Sequence, residues 1–320
     1  MNKNSEAIII LCADLGIMKK TRPFQPVEWG KFARKMLEHK IEPYQLIEMS
    51  DEEIKEKLEL TDEEVERIRN LIKRKRLCLF EVETFKKLGV SIVTRADKEY
   101  PRRLKQKLKS ACPPLFYYAG DLNILNGKSV GIIGTRKIHP NEADFIRSTL
   151  VKLNPLKHVI VTGGGNGTDK VVQEIGFIKN YFQIQFVADS LLDRMEDELT
   201  RLQLKKKKLV ILSSARPDAK FKVGMLMGRN KYIYSQTDLT IVVNSDFEEG
   251  SIWSGATEAL KKNLCNVYCM ESTKKGNQAL IEKGCKQIDI IWDAEVPNFE
   301  YNPVVKEDEE IENYENYLLY

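Results

Sequence analysis

Three loops of the sequence carry residues that are suited to binding phosphate groups. In the first, Gly134, Thr135 and Arg136 stand at the end of a short apolar run. Glycine allows a tight backbone turn, and a guanidinium can donate two parallel hydrogen bonds to one phosphate. The triplet therefore indicates a phosphate contact at Arg136, although it fits an exposed arginine after a glycine turn equally well.

The second loop, TGGGNGTD, contains the candidate residues Gly163, Gly164, Gly165 and Asn166. A run of three glycines indicates that the backbone approaches another group closely. Successive amide N–H groups at a helix N-terminus can form an anion-binding nest, and Thr168 or Asp169 would cap that helix. This loop favours an anionic ligand more strongly than the first one does. It matches neither the phosphate loop that ends in Gly-Lys-Ser/Thr nor the GxGxxG loop of dinucleotide enzymes.

The third region joins two predicted helices. Gly228, Arg229 and Asn230 interrupt an otherwise apolar helix, which is unfavourable unless Arg229 and Asn230 face a ligand or a partner. The alternative for Arg229 is a structural ion pair. Gly250 and Ser251 open the next helix, whose first N–H groups would be available to phosphate.

These loops lack the groups that catalysis requires. They supply no Ser-His-Asp set, no HExxH motif and no paired carboxylates. The three histidines and six cysteines are scattered, without metal-ligand spacing. We therefore expect a binding site with no catalytic residue, no metal and no cofactor, and free thiols in a reducing compartment. The acids nearest to the loops are Asp169, Asp246, Glu248, Glu249 and Glu258.

The elements around the loops predict where they meet. After Tyr100-Pro101, short apolar runs alternate with amphipathic segments, which is typical of a doubly wound, mainly parallel α/β sheet of the Rossmann-like type. Ligands of such sheets bind at the carboxyl ends of the strands, where these loops lie. The predicted strands are Val130–Gly134, Val159–Thr162, Ile184–Ala188, Leu209–Ser213, Leu239–Asn244 and Val267–Met270, with Ile288–Trp292 as a candidate edge strand. The predicted helices are Glu142–Leu153, Lys170–Lys179, Leu191–Lys205, Val223–Ser235 and Ile252–Lys262.

The chain on either side of this sheet differs in composition. Residues 1–96 are predicted to be helical, because Glu28–Glu38 has one apolar face and Thr61 forms a capping box with Glu64. From Asp293 onward the chain is strongly acidic, which is typical of a solvated tail. The predicted domains are a small helical domain over residues 1–96, a Rossmann-like domain over residues 97–292 and an acidic tail over residues 293–320.

The overall composition is that of a globular protein. Of the 320 residues, 42% are hydrophobic and 31% are charged, with a formal net charge of +4. That charge is too small to indicate nucleic-acid binding, although the acidic tail leaves the rest of the chain clearly basic. No apolar run reaches the roughly 18 residues that cross a bilayer, so we expect a cytoplasmic protein that binds no membrane.

Eight motifs in order resemble the DprA/Smf family: Tyr100-Pro101, PPLF, GDL, VGIIGTR, VTGGGNGTD, GRNKYIYSQTD, EGSIWSGATEAL and GNQALIEKGC. The resemblance covers about residues 80–290. It implies a Rossmann-like domain that forms homodimers, binds single-stranded DNA in a positively charged pocket and helps to load the recombinase RecA in natural transformation and recombination. Tyr232, Tyr234 and Trp253 are candidates for base stacking or for the core. The DNA-binding residues predicted in this way are Gly134, Thr135, Arg136, Gly163, Gly164, Gly165, Asn166, Arg229, Asn230, Gly250 and Ser251.

Two loops depart from the family pattern. Members commonly carry Gly-Ser-Arg in the first turn and Ser-Gly-x-Ala-x-Gly-Ile-Asp in the second, where this chain has Gly134-Thr135-Arg136 and TGGGNGTD. In this respect the second loop partly resembles the glycine-rich loops of related nucleotide-binding proteins, such as lysine-decarboxylase-like phosphoribohydrolases. The alternative function is therefore a nucleotide-binding sensor or enzyme with Glu258 as its acid, and a third is a DprA-like subunit of a phage-defence system.

Overall fold

A computed structural model describes residues 1–16, 21–153 and 155–288. They form two compact units, the first comprising Met1–Tyr118 and Ser214–Pro217, the second Ala119–Ser213 and residues 218–288. The domain bounds inferred from the sequence stay a prediction. The predicted acidic tail and nearly all of the candidate edge strand at 288–292 lie outside the described residues. No helix in the described part of the chain is both long and apolar enough to cross a membrane.

The first unit is mainly helical, as predicted, but it also contains strands. Strand β1 (Ser91–Thr94) pairs antiparallel with β2 (Leu115–Gly120), so the prediction of helix over residues 1–96 is wrong at β1. The β-branched residues of β1 favour a strand. The α-helices are α1 (Lys3–Cys12), α2 (Pro26–Glu38), α3 (Gln45–Glu48), α4 (Asp51–Lys57), α5 (Asp62–Lys73), α6 (Lys75–Lys87) and α7 (Arg102–Leu108), and a 3-10 helix spans Lys109–Ala111.

Amphipathic helices build the core of this unit. Trp29 and Met36 of α2 are buried against Ile68 and Leu71 of α5, which confirms the predicted apolar faces. The predicted capping box is also present, because the Thr61 hydroxyl accepts a hydrogen bond from the Glu64 amide at 3.3 Å. The Glu64 carboxylate accepts one from the Thr61 amide at 2.9 Å. Local sequence signals thus determine where α5 begins.

Seven parallel strands form the sheet in the described part of the second unit, in the order β6-β5-β4-β3-β7-β8-β9. This mostly parallel sheet, preceded by a helical region, confirms the predicted fold class. The strands are β3 (Ser129–Ile133), β4 (Val159–Thr162), β5 (Phe182–Phe186), β6 (Leu209–Ser213), β7 (Leu239–Val242), β8 (Asn266–Met270) and β9 (Lys286–Ile288). The helices are α8 (Pro140–Lys152), α9 (Thr168–Ile178), α10 (Leu191–Glu196), α11 (Glu198–Lys205), α12 (Val223–Gln236), α13 (Gly250–Lys262) and α14 (Lys275–Glu282), and a 3-10 helix spans Leu122–Asn126.

The strand order reverses its direction at β3. From β3 the chain moves outward through β4, β5 and β6, and it then returns to the other side of β3 with β7. The loops that follow β3 and β7 therefore diverge, which leaves a crevice at the carboxyl ends of these two adjacent strands. The two strands pair from Val130–Leu239 to Ile133–Val242, so their ends are level.

Two local predictions in this unit are wrong. The single helix predicted over Leu191–Lys205 is two helices, because the Asp197 carboxylate accepts a hydrogen bond from the Thr200 amide at 2.8 Å and caps α11. The predicted cap of α9 at Thr168 or Asp169 is also wrong, since the N-cap is Gly167 with φ +72°. Periodicity reveals neither the side-chain cap at Asp197 nor the positive φ at Gly167.

Candidate functional site

A cavity of about 720 Å³ lies at the carboxyl edge of the sheet, around the crevice between β3 and β7. The loops that follow β3, β4, β5 and β7 line it, together with residues of α12. Helices α9 and α13 begin at the same edge, because each follows directly from one of these loops. The site is thus built by the topology from segments that lie far apart in sequence.

All the residues predicted for the site except Gly164 line this cavity. Successive segments about 20 to 60 residues apart in sequence therefore come together as the sheet topology predicts. Gly164 is not part of the lining. A Cβ atom there would contact Gln185 of β5 and Val187, which directly follows that strand. The lining residues from the prediction are Gly134, Thr135, Arg136, Gly163, Gly165, Asn166, Arg229, Asn230, Gly250 and Ser251.

The glycine loop after β4 is packed against the protein itself. A Cβ atom at Gly163 would lie 1.2 Å from Nη1 of Arg229, and one at Gly167 would lie 2.2 Å from the carbonyl oxygen of Arg136. A side chain at Gly167 would clash with backbone and would also have to adopt a positive φ. A side chain at Gly163 would require the guanidinium of Arg229 to move. The close approach that the glycines predicted is therefore an approach to the buried arginine and to the neighbouring loop.

The amides of this loop already bind an anion, the carboxylate of Asp169. The Gly165 amide donates to Oδ2 of Asp169 at 2.9 Å. Burial raises the pKa of Asp169, while the charge of Arg229 and hydrogen bonds from the amides of Gly165 and Gly163 oppose this shift. The anion nest predicted from the glycines is thus filled by a side chain of the protein.

Two ion pairs lie next to the glycine loop that follows β4. Nη1 of Arg229 lies 3.8 Å from Oδ2 of Asp169, and each residue is only 7% exposed. Burial lowers the pKa of Arg229, and the charge of Asp169 opposes this effect. Arg194 donates hydrogen bonds to both carboxylate oxygens of Asp189, at 3.1 and 2.6 Å, and another to the carbonyl oxygen of Gly164. The structural ion pair considered for Arg229 is therefore present, although its side chain also lines the cavity.

The mouth of the cavity, by which we mean Arg136, Lys137 and Phe221, is exposed to solvent. The guanidinium carbon of Arg136 lies 5.5 Å from the centroid of the Phe221 ring, a cation–π arrangement. Phe221 itself is 44% exposed. Thr135 fixes the turn, because its amide donates to Oδ1 of Asn244 at 2.5 Å and its hydroxyl donates to the carbonyl of Lys137 at 2.7 Å.

The opposite side of the cavity is formed by α12 and α13. Asn230 donates from Nδ2 to the carbonyl oxygen of Ser251 at 2.7 Å and so holds the start of α13. Gly250, with φ +77°, begins that helix. Asp246 and Glu249 also line this side, and they give it negative charge. The positively charged pocket that the family resemblance implies stays a prediction. Among the described residues that line the cavity, Arg136 and Lys137 at the mouth form no ion pair, whereas Arg194 and Arg229 each face a carboxylate.

Several lining residues escaped the sequence prediction. Asp189 and Arg194 follow β5 at the same edge as the other loops, so their position in the predicted topology was an unused signal. Phe221 begins the segment FKVGMLMGRN that also carries Arg229 and Asn230, but no sequence feature selected the phenylalanine itself as a site residue. The three aromatic residues considered for base stacking are instead core residues. Tyr232 is 6% exposed, Tyr234 is 0% exposed and Trp253 is 9% exposed.

Two further findings limit the chemistry available here. Within residues 1–16, 21–153 and 155–288, no group of three or more His, Cys, Asp or Glu side chains is arranged to hold a metal ion. Glu258, the acid considered for a nucleotide-cleaving reaction, pairs with Lys262 at 2.6 Å and is not part of the cavity lining. The arrangement is suited to holding a ligand by charge and aromatic contact.

A family model described as DNA recombination-mediator protein A matches residues 91–294, which is more than half of the chain. The chain belongs to this family. The matched segment contains every residue that lines the cavity, so the cavity is a feature of the part of the chain shared with the family. No curated protein matches the chain.

Two solved structures of the family have a similar fold. DNA processing protein A (DprA) from Streptococcus pneumoniae matches with a TM-score of 0.60 at 16% identity, over 82% of this chain and 92% of that chain. DNA processing protein A from Helicobacter pylori, whose structure concerns its single-stranded DNA binding mode, matches with a TM-score of 0.50 at 24% identity. That match covers 62% of this chain and 90% of that chain. At these identities the likeness shows the fold alone.

Proposed function

We propose that this protein binds single-stranded DNA at the mouth of the cavity and loads a RecA-type recombinase onto incoming or exposed single strands. In this proposal it acts as a cytoplasmic homodimer in DNA uptake and recombination, and it catalyses no reaction. Membership of the recombination-mediator family supports this function. The single-stranded DNA binding of the similar Helicobacter pylori protein supports the choice of ligand.

The observation that carries the proposal is the pairing of an exposed arginine with an exposed aromatic ring. Arg136 supplies a guanidinium for a phosphate, and Phe221, 5.5 Å away, supplies a ring face for a base. A duplex presents its phosphates but keeps its bases stacked inside. Only a single strand can use both groups at once, which favours single-stranded over double-stranded DNA.

The test compares three ligands on the full chain. Fluorescence anisotropy at one fixed salt concentration would measure affinity for a single-stranded oligonucleotide, the matching duplex and nucleoside monophosphates. We expect the single strand to bind most tightly. Equal affinity for single strand and duplex would contradict the stacking contact, because a duplex offers no free base.

Arg136→Ala tests the residue assigned to phosphate. Loss of one charge-assisted contact should weaken single-strand binding by about 1–3 kcal/mol. Arg147→Ala is the matched control, since Arg147 is an exposed arginine of the same unit that pairs with Asp144 and does not line the cavity. Unchanged affinity in Arg136→Ala, or an equal loss in both variants, would remove Arg136 from the site.

Recombinase loading needs its own measurement. The rate at which a RecA-type filament forms on single-stranded DNA should rise when the protein is added, and Arg136→Ala should reduce that effect. If the protein binds single strands but leaves filament formation unchanged, the partner is not a recombinase. A role in phage defence with a different partner would then remain.

A second candidate function, binding of a small nucleotide, is favoured by the acidic side of the cavity. The carboxylates of Asp246 and Glu249 line it beside the start of α13, and carboxylates accept hydrogen bonds from ribose hydroxyls. Nε of the buried Arg229 also has no hydrogen-bond partner among the described residues. If a nucleoside monophosphate raises the melting temperature and single-stranded oligonucleotides do not, this second function is correct.

A further inference from the structure

A second cationic surface lies at the amino ends of the strands, at the end of the sheet opposite the cavity. It consists of lysines from three loops that precede neighbouring strands. We call it the lysine edge and define it as Lys157, Lys179, Lys205, Lys206, Lys207 and Lys208.

Strand register brings these loops together. Phe182 of β5 pairs with Val159 of β4, and Gln183 of β5 pairs with Leu209 of β6. The three strands therefore start side by side, about 5 Å apart. Lys157 lies two residues before β4, Lys179 three residues before β5, and the remaining lysines directly before β6.

The lysine edge has a high density of positive charge. None of the six lysines forms an ion pair among the described residues, and residues 153–158, 179–181 and 205–208 contain no Asp or Glu. Lys157, Lys179 and Lys206 are exposed. Lys208 is held in place, because its Nζ lies 3.7 Å from the centroid of the Phe182 ring. Like charges at this density repel one another, and a bound polyanion would relieve this repulsion.

Helix dipoles account for only part of the pattern. A cation at a helix C-terminus interacts favourably with the dipole, which explains Lys179 after α9 and Lys205 at the end of α11. The run continues for three residues beyond α11, although Lys207 has the left-handed φ of +55° that usually favours glycine or asparagine. The backbone amides of Lys206, Lys207 and Lys208 cap the end of α11, but this capping does not require the charges of their side chains.

We propose that the lysine edge binds the phosphate backbone of a second segment of single-stranded nucleic acid, beyond the segment held at the cavity. The choice of ligand rests on the proposed function, since nucleic acid is the polyanion handled by this family. A five-residue strand is about 17 Å long, so the two sites are separated by the depth of the sheet. A single-stranded nucleic acid that reaches from one site to the other must therefore cover this distance with several nucleotides. Only a long oligonucleotide can occupy both sites.

The test is a triple variant in the full chain, Lys157→Gln/Lys179→Gln/Lys206→Gln, with one exposed lysine taken from each loop. The control, Lys55→Gln/Lys57→Gln/Lys86→Gln, removes the same charge from exposed lysines of the first unit that already have carboxylate partners. Anisotropy would measure affinity for single strands of about 6 and about 30 nucleotides over a range of salt concentrations. The edge variant should lose about tenfold affinity for the long strand at low salt, and its salt slope should fall by about 2.

The control variant should bind both oligonucleotides with the affinity of the wild-type chain. The edge variant should keep its wild-type affinity for the short oligonucleotide. Unchanged long-strand affinity in the edge variant would overturn the proposal, and so would an equal loss in the control, which would reflect net charge alone. Binding of the wild-type chain to phosphatidylserine-containing vesicles, lost in the edge variant while oligonucleotide affinity is kept, would assign the surface to membranes instead. If Arg136→Ala leaves all binding intact while the edge variant abolishes it, the proposed function at the cavity fails but the lysine edge stands.

Discussion

The cavity uses arginine in two ways, at its wall, by which we mean Arg194, Arg229 and the carboxylates that they face, and at its exposed mouth. At the wall, Arg229 is buried and Arg194 is partly buried, and each faces a carboxylate and contacts the glycine loop. At the mouth, Arg136 is exposed and contacts the ring of Phe221. Burial decides the difference, because a buried cation needs a partner whereas an exposed one stays available to a ligand. Changes at the wall should therefore act on stability, and changes at the mouth on binding.

The largest effect is expected at the wall, from Asp169→Ala. Removal of this carboxylate leaves Arg229 buried without its partner and the Gly165 amide without its acceptor. The free energy of unfolding should fall by about 3–5 kcal/mol, measured by urea denaturation. Asp144→Ala, which breaks an exposed pair with Arg147, should cost less than about 1 kcal/mol. Similar losses in the two variants would contradict the distinction between buried and exposed pairs.

Phe221→Ala should have the largest effect at the mouth after Arg136→Ala. Loss of one base-stacking contact should weaken single-strand binding by about 1–3 kcal/mol. The free energy of unfolding should change little, since the ring is 44% exposed. Phe221→Trp offers a larger ring face and should restore or increase affinity, which a purely structural role would not explain. If Phe221→Ala binds normally, Phe221 does not stack on a base.

Arg194→Ala should give an intermediate effect on stability. The side chain of Arg194 is 30% exposed, so solvent screens its ion pair with Asp189. That pair and the hydrogen bond to the Gly164 carbonyl should together contribute about 1–2 kcal/mol to the free energy of unfolding. Thermal unfolding should show a lower midpoint, and any loss of DNA affinity should be smaller than in Arg136→Ala. A larger loss of binding than of stability would place Arg194 among the ligand contacts.

The smallest effect is expected from Lys137→Gln. An exposed lysine that neutralises one phosphate should lower the salt slope of single-strand binding by about 0.7 and leave the preference for single strands unchanged. The measurement is affinity at several salt concentrations. An unchanged slope would mean that the strand passes the mouth on the side of Arg136 alone.

Sequence patterns predicted the elements better than the interactions. The bounds of buried strands such as Val159–Thr162 and Leu209–Ser213 were predicted to the residue, because short, nearly continuous apolar runs mark where a buried strand begins and ends. The partner of the glycine loop was not predictable in this way. It depends on Arg229, more than 60 residues later, folding back against Gly163.

The sequence by itself determined the fold class and the edge of the sheet at which the site lies. These follow from periodicity, turn residues and the rule that ligand loops leave the carboxyl ends of parallel strands. Only the tertiary structure decided which charged groups are available. It placed Asp169 in the nest that the glycines had predicted for a ligand, and it left Arg136 exposed beside Phe221. The physical reason is that burial and ion pairing decide whether a charged side chain is available to a ligand. Both arise from contacts between distant parts of the chain.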